Sequence, residues 1–199
     1  GVDIEGNPVE IAVNEDAATA AIVFKTVVDP FIGKLTFVKV VAGKLTADSP
    51  VINMRTGEQE RMIKMYYMCG KKQEETKCIC AGDIGAIPKL QHTNTGDTLC
   101  SPTRKVVLEG VTYPEPVLSM AILPKQKGEE DKVAQGVLRL LEEDPTLKFV
   151  NNAETHQMIL SGLGEQHLDV VVSKLKGKFG LDVTLEKPKV AYRETIRKK

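Results

Sequence analysis

Apolar and polar positions follow two different patterns in two parts of the chain. In the first part, short apolar runs alternate with turn residues, and the runs occupy residues 21–28, 35–41, 50–54, 60–67, 76–80 and 84–87. Each run is rich in β-branched residues or alternates with a period of two, which is typical of strands. Several short strands at regular spacing predict a sandwich or a closed barrel over residues 17–103. The barrel is favoured because closure hides the edge strands.

The second part, residues 117–187, mixes strands with two amphipathic helices. Strands are predicted at 117–123, 147–151, 157–160 and 181–185, and helices at 129–143 and 165–178. The helices carry apolar stripes with helical spacing: Val133, Val137, Leu140 and Leu141 in the first, and Leu168, Val171, Val172, Leu175 and Phe179 in the second. The resulting order β-α-β-β-α-β predicts a ferredoxin-like domain. The fold class is therefore β followed by α/β.

Three other segments are set apart by their composition. Residues 1–16 show little periodicity and are predicted to be a linker or an unpacked end. Residues 104–116 contain Pro114 and Pro116, which restrict the backbone around them, so this segment is predicted to be a stiff hinge. Residues 188–199 are predicted to begin a further segment. Because the chain starts with Gly1 rather than methionine, we expect it to be part of a longer protein.

The topology of the second part is also that of RNA-recognition motifs, which stack bases on aromatic side chains of the central strands. Here the matching strands carry Met120, Phe149 and Met158 instead of a set of aromatic residues. Base stacking on this sheet is therefore not predicted.

Composition narrows the class of protein. The 199 residues include 27 Lys and Arg and 27 Asp and Glu, so the net charge is zero and generic polyanion binding is not indicated. No apolar run approaches the roughly 18 residues of a membrane span, and no secretory signal leads the chain. We therefore expect a cytoplasmic protein without a membrane partner.

The reactive residue types do not form a self-sufficient catalytic set. The sequence has no phosphate loop and no nucleophile elbow, and His156 and His167 lack partners at metal or triad spacing. The four cysteines lack paired C-x2-C spacing, so they are predicted to be packed thiols and no metal site is expected: Cys69, Cys78, Cys80 and Cys100. The carboxylates of residues 142–144 are predicted to form a solvated helix end. No enzyme activity is predicted for these residues.

Two features leave a functional and a structural interpretation open. The turn at residues 161–165 contains Gly162 and Gly164, which would let backbone amides approach an anion or would simply form a tight strand-to-helix joint. On the barrel, four basic residues either form a phosphate-contacting edge or serve solubility: Lys34, Lys39, Lys44 and Arg55.

The motifs along most of the chain resemble domains two and three of bacterial elongation factor G. The motifs that carry the resemblance are FK at 24–25, DPFIGKL at 29–35, AGDI at 81–84, TGDTL at 95–99, YPEPV at 113–117, EDPT at 143–146, SGLGEQHLD at 161–169 and KPKVAYRET at 187–195. The resemblance implies that residues 17–103 are a translation-factor β-barrel, that 1–16 link it to a GTPase domain before Gly1, and that 188–199 begin a fourth domain.

The same resemblance implies a function and a set of contact residues. Such a protein is a monomeric, GTP-driven ribosomal translocase, with GTP and Mg in the full-length protein and no cofactor in these residues. The resemblance implies contacts of the barrel with small-subunit ribosomal RNA and ribosomal protein, for which the candidates are Phe31, Lys34, Lys39 and Lys44. It also implies a surface facing the protein's own GTPase domain, formed by Gly162, Gly164, Glu165 and His167.

Some positions depart from the family pattern. The family commonly has Arg-Val-Tyr-Ser-Gly where residues 39–43 read KVVAG, and leucine where Gln166 stands. Loss of a bidentate arginine and an aromatic tip would weaken a phosphate or stacking contact. The alternative interpretation is therefore a divergent paralogue, or a ribosomal protection protein, that binds ribosomes without driving translocation.

Overall fold

The computed structural model describes residues 1–29, 33–70 and 72–196 and divides the chain into two compact units. The first unit is Gly1–Thr112 and the second is Tyr113–Lys199. The boundary lies inside the predicted hinge, whose residues 104–112 belong to the first unit.

The first unit is made of short β-strands. They are β1 (Val2–Asp3), β2 (Ala20–Asp29), β3 (Gly33–Ala42), β4 (Lys44–Thr46), β5 (Pro50–Asn53), β6 (Gln59–Arg61), β7 (Met65–Cys69), β8 (Lys72–Thr76), β9 (Cys78–Cys80), β10 (Ile84–Pro88), β11 (Thr98–Cys100) and β12 (Val106–Val107). Eight of them form one antiparallel sheet in the order β6-β5-β11-β2-β3-β10-β7-β8, and β4 and β9 form a separate two-stranded ribbon.

The sheet and the ribbon enclose one hydrophobic core. Side chains from β2, β3, β5, β7, β10 and β11 meet Leu45 of β4 and Ile79 of β9, and both of these residues are fully buried. A sheet that curls until distant strands share one core with a ribbon is a barrel. The prediction of a β-barrel is confirmed.

The long strand β3 is more buried than its pattern indicates. Leu35 and Thr36, which lie on opposite faces, are 4% and 0% exposed. Strand β3 also lies at the centre of the sheet, where it pairs with β2 on one side and β10 on the other. The start of the DPFIGKL motif, including Phe31, lies outside the described residues.

The amino-terminal segment is attached to the first unit at a few points, although most of its side chains are exposed. Strand β1 pairs with β12, and Ile11 and Ala17 pack against a small core around Val106 and Leu108. The assignment of residues 1–16 as the link to a GTPase domain stays a prediction.

The second unit has the predicted order of strands and helices. Its elements are β13 (Leu118–Pro124), α1 (Glu130–Glu143), β14 (Lys148–Asn152), β15 (Gln157–Gly162), α2 (Glu165–Phe179) and β16 (Val183–Glu186). The sheet is antiparallel with strand order β14-β15-β13-β16, which is the ferredoxin-like arrangement. The predicted ferredoxin-like domain is confirmed.

The helices cover one face of this sheet with their apolar stripes. Val133, Val137 and Leu140 of α1 meet Leu168 and Leu175 of α2 in one buried core. Met120, Phe149 and Met158 pack against that core, so they face the helices and present no stacking platform. In the described part of the chain, neither helix combines the length and the apolar character that a membrane crossing requires.

Candidate functional site

The turn between β15 and α2 contains the residues predicted to face a GTPase domain. Strand β15 ends at Gly162 and α2 begins at Glu165, so only Leu163 and Gly164 connect them. The ring of His167, in the first turn of α2, reaches back across this connection. The backbone N–H of Leu163 donates to His167 Nδ1 at 3.1 Å. Because an accepting ring nitrogen carries no proton, the neutral ring holds its proton on Nε2.

The other nitrogen of the ring is bound to the end of the first helix. His167 Nε2 donates to Oδ2 of Asp144, 2.9 Å away. Asp144 is the residue that caps the carboxyl end of α1, and its Oδ1 accepts the backbone N–H and the hydroxyl of Thr146. His167 therefore fastens the end of α1 to the start of α2. We call the set of Asp144, His167 and the Leu163 N–H the histidine clip.

The electrostatics of the clip keep Asp144 ionised. Burial of the side chain raises the pKa of the Asp144 carboxyl, but hydrogen bonds from Thr146 and His167 lower it by more, so the pKa lies below its ordinary value. The ring of His167 is 19% exposed, and both of its nitrogens are engaged in hydrogen bonds. The clip therefore positions the turn, because its ring has no nitrogen left to act as a general base.

The two glycines of the turn differ in the space available for a side chain. A Cβ on Gly162 would lie 2.8 Å from Leu168 Cδ2 and 3.0 Å from His167 Nδ1, so a larger residue would force the buried Leu168 side chain to shift. A Cβ on Gly164 would meet no atom within 4 Å, and its φ of 166° is extended backbone. Nothing among the described residues requires glycine at position 164.

The exposed surface at this turn suits a protein contact better than an anion. We call it the α2 entry surface and define it by Leu163, Gly164, Glu165 and Gln166. Leu163 is 39% exposed, and Glu165 is an exposed acid in the first helical turn. The helix dipole favours that carboxylate, which would repel a phosphate approaching the same amides. An apolar side chain, an open backbone position and a carboxylate are instead typical of a polar protein interface.

Of the carboxylates predicted to form a solvated helix end, Glu142 is exposed but Glu143 is not. The side chain of Glu143 is 8% exposed. It accepts a hydrogen bond of 2.5 Å from Lys178 Nζ, and Lys174 Nζ lies 3.6 Å away. Glu143 therefore ties α1 to α2 by ion pairs with two lysines that lie more than 30 residues later in the sequence.

The barrel lysines predicted to contact the ribosome have different surroundings. Lys34 and Lys39 are five residues apart on the regular part of β3, so strand alternation places them on opposite faces. Lys34 Nζ donates to Asn94 Oδ1 at 3.3 Å, and Lys39 is exposed between Ile22 and Ile84 of the neighbouring strands. Lys44 on β4 forms an ion pair of 2.9 Å with Glu15. Lys34 and Lys39 do not share one edge.

Arg55, the fourth basic residue of that predicted edge, is 51% exposed but is bound to a buried carboxylate of the barrel unit. Its Nε and Nη2 donate to the two oxygens of Asp97 at 2.6 and 2.9 Å, and Asn53 Nδ2 donates to the same carboxylate at 2.8 Å. Burial raises the pKa of Asp97, but the bonds from Arg55, Asn94 and Asn53 lower it by more. A carboxylate that is 5% exposed needs such partners, so Arg55 serves the loop before β11.

The turn also does not fit a nucleotide–magnesium group. Among the described residues, no three His, Cys, Asp or Glu side chains are grouped so that they could hold a metal ion. Within the same part of the chain, Glu165 is the one acid in the first turn of α2.

Comparisons with known proteins identify both units. The family profile described as "Elongation factor G domain 2" matches residues 18–102, and the one described as "Elongation Factor G, domain III" matches residues 113–187. A crystal structure of a protein from Thermus thermophilus is 32% identical, with a TM-score of 0.79, over 92% of this chain. The match spans 28% of that protein's chain. The chain therefore belongs to the elongation factor G family and contains its domains 2 and 3.

Proposed function

We propose that this chain is the ribosome-binding middle portion of an elongation factor G-like GTPase that promotes GTP-dependent translocation in protein synthesis. The observation that carries the proposal is the succession of the two domains, at residues 18–102 and 113–187, in one chain. The protein would act as a monomer in the cytoplasm, with the ribosome and its own GTPase domain as partners.

In this proposal the barrel contacts the small-subunit RNA and a ribosomal protein. Lys39 is the best-placed lysine, because it is exposed on β3 beside Ile84, which is 52% exposed. A lysine next to an apolar side chain offers a point charge for a phosphate and a surface for a sugar or a base. Phe31, Lys34 and Lys44 are further candidates, of which Lys44 would have to exchange its ion pair with Glu15.

The α2 entry surface faces the GTPase domain in this proposal. The histidine clip fixes the backbone of the turn, so the surface is presented in one conformation. The open space at Gly164 admits close approach of another backbone. Glu165 offers a carboxylate to a basic group of the partner domain.

GTP and Mg would be held outside the described residues, because the turn does not fit them. Bound nucleotide supplies the change of state that reorients domains in switching GTPases. The residues described here would contribute by transmitting that change between the GTPase domain and the ribosome.

The test is sedimentation of the complete protein with ribosomes, in GTP and in GDP. We expect pelleting that depends on GTP, and pelleting equal in both nucleotides or absent in both would contradict the proposal. Lys39→Gln should weaken pelleting, while Lys64→Gln, at an exposed lysine of the same unit that pairs with Glu75, is the matched control.

The departures from the family pattern at residues 39–43 and Gln166 favour a second candidate. In that case the protein is a divergent paralogue or ribosomal protection protein, which binds ribosomes but does not move them. Single-turnover translocation by the complete protein separates the two: normal translocation excludes the second candidate, and binding without translocation establishes it.

A further inference from the structure

The ribbon formed by β4 and β9 places two thiols side by side. Leu45 and Ile79 are paired across the ribbon and point into the core, where both are fully buried. The alternate residues of β9, Cys78 and Cys80, therefore share the outer face. Their Sγ atoms are 3.8 Å apart, and both side chains are partly exposed.

This separation matches a bridge through one metal ion. Metal–thiolate bonds to zinc are about 2.3 Å long. Two such bonds to sulfur atoms 3.8 Å apart meet at about 111°, close to the tetrahedral angle of about 109°. The thiols can therefore chelate an ion in the geometry that they already have.

A disulfide fits the same pair poorly. It needs Sγ atoms about 2.05 Å apart and Cβ atoms about 3.8 Å apart. Residues two apart on a strand are separated by about 6.6 Å along its axis, near the upper end of the range that a disulfide spans. Closing the bond would bend β9 away from its pairing with β4.

We propose that Cys78 and Cys80 form a bidentate dithiolate site for a thiophilic d10 metal ion such as zinc or cadmium. Each thiol gives up one proton and donates its electron pair to the ion, so binding of a divalent ion releases two protons and changes no oxidation state. Solvent or a small thiol completes the coordination on the outer side of the ribbon.

The groups around the pair set the conditions for binding. The Cys78 thiol, through its hydrogen bond, and then burial raise the pKa of Cys80, so a metal ion must displace a proton from that sulfur. Lys44, Glu15, Tyr67 and Asp83 are the charged and titratable groups near the pair. The ion pair of Lys44 with Glu15 leaves no net charge there to repel a cation.

The test is a titration of the reduced chain with cadmium chloride, followed by thiolate-to-metal charge-transfer absorption and by proton release. We expect one ion per chain and two protons per ion. Cys78→Ser and Cys80→Ser should each weaken binding at least about 100-fold, because the second thiolate no longer binds intramolecularly. Cys69→Ser, at an exposed cysteine of the adjoining hairpin, is the matched control and should leave the affinity unchanged.

Three outcomes would overturn the proposal. The first is unchanged cadmium affinity in the Cys78→Ser, Cys80→Ser double variant, provided that its thermal unfolding shows it folded. The second is fewer than two protons released per ion. The third is loss of two hydrogens in the intact mass on mild peroxide treatment with no cadmium binding by the reduced protein, which would assign the pair as a disulfide switch instead.

Discussion

The structural role of His167 depends on a hydrogen-bond partner that cannot be inferred from spacing in the sequence. Asp144 lies 23 residues earlier and becomes its partner only because α1 ends where α2 begins. The motif letters EDPT and SGLGEQHLD mark both positions without indicating that they touch. Sequence reasoning therefore found the turn and its glycines, but it left His167 without a partner and placed Glu143 in solvent.

The clip predicts the effect of Asp144→Asn on stability. The amide nitrogen of asparagine is a donor and would face either the N–H of His167 or the donors of Thr146, so one partly buried hydrogen bond is lost. We expect the free energy of unfolding in urea to fall by roughly 1–3 kcal/mol. Asp182→Asn is the matched control, because Asp182 is half-exposed and pairs with surface lysines, and it should change stability by less than about 0.5 kcal/mol. Equal effects of the two variants would contradict the clip.

The lowered pKa of Asp144 also predicts a pH dependence. A carboxyl with a lower pKa in the folded than in the unfolded chain stabilises the fold above the unfolded pKa, which is near 4. That contribution disappears as the pH falls through the folded pKa. The stability difference between wild type and Asp144→Asn should therefore be full at pH 7 and shrink below about pH 4. A difference that stays constant down to pH 2 would show that the charge is not responsible.

Gly162→Ala and Gly164→Ala separate the packing role from the surface role of the turn. The methyl group at position 162 would collide with Leu168 and the clip, so we expect a loss of roughly 1–3 kcal/mol in the free energy of unfolding. The methyl group at position 164 projects into open space and should leave the free energy of unfolding within about 0.5 kcal/mol of wild type. A stable Gly162→Ala variant would mean that the turn is looser than its contacts indicate.

Among the elements, the long periodic ones were predicted best. The helix predicted at 165–178 is Glu165–Phe179, and Gly180 ends it with φ of 67° in the left-handed conformation that glycine favours. The run predicted as one strand at 60–67 is two strands, because the alternation of buried and exposed residues breaks where Ile63 and Lys64 are both exposed. An isoleucine that faces solvent cannot be recognised from the letters alone.

Strands with polar or very short sequences were missed. Lys72–Thr76 has no apolar residue, yet it forms β8 because the turn at Gly70 folds it back onto β7. Lys44–Thr46 and Thr98–Cys100 are three residues long, too short for a period of two to stand out. Their pairing depends on partners elsewhere in the barrel, which a local pattern does not contain.

The stripe of α2 predicts the cost of truncating its central leucine. Leu175 is fully buried between the helices and the sheet. Leu175→Ala should lower the free energy of unfolding by roughly 2–5 kcal/mol, because it removes buried apolar surface and leaves a cavity. Val170→Ala on the same helix, at a side chain that is 50% exposed, is the matched control and should cost much less. An unchanged urea midpoint for Leu175→Ala would show that the stripe is misassigned.

As a whole, the chain carries domains 2 and 3 of the elongation factor G family. Both domain assignments follow from fold and family, and the motif resemblance found in the sequence agrees with them. The contact residues do not follow in the same way, since Lys34 and Lys39 point to opposite faces and Arg55 is engaged by Asp97. Contact residues are identified from the partner that covers them, and the sequence of one chain does not contain that information.

The Gly164→Ala variant of the complete protein tests whether the α2 entry surface contacts another domain. If another backbone approaches this position, the methyl group will lower ribosome-stimulated GTP hydrolysis several-fold while stability is unchanged. Gly177→Ala is the matched control, because its methyl group also meets no atom within 4 Å but lies near the opposite end of α2. Full activity of the Gly164→Ala variant would show that the α2 entry surface does not contact the GTPase domain.

The proposed function is tested most directly by GTP-dependent sedimentation of the complete protein with ribosomes. We expect the protein to pellet with ribosomes in GTP and to be released in GDP, because the domain 2 and domain 3 pair of this family would engage the ribosome in one nucleotide state. Absence of GTP binding, or pelleting that ignores the nucleotide, would contradict it and would leave the barrel and the ferredoxin-like domain as a nucleotide-independent adaptor.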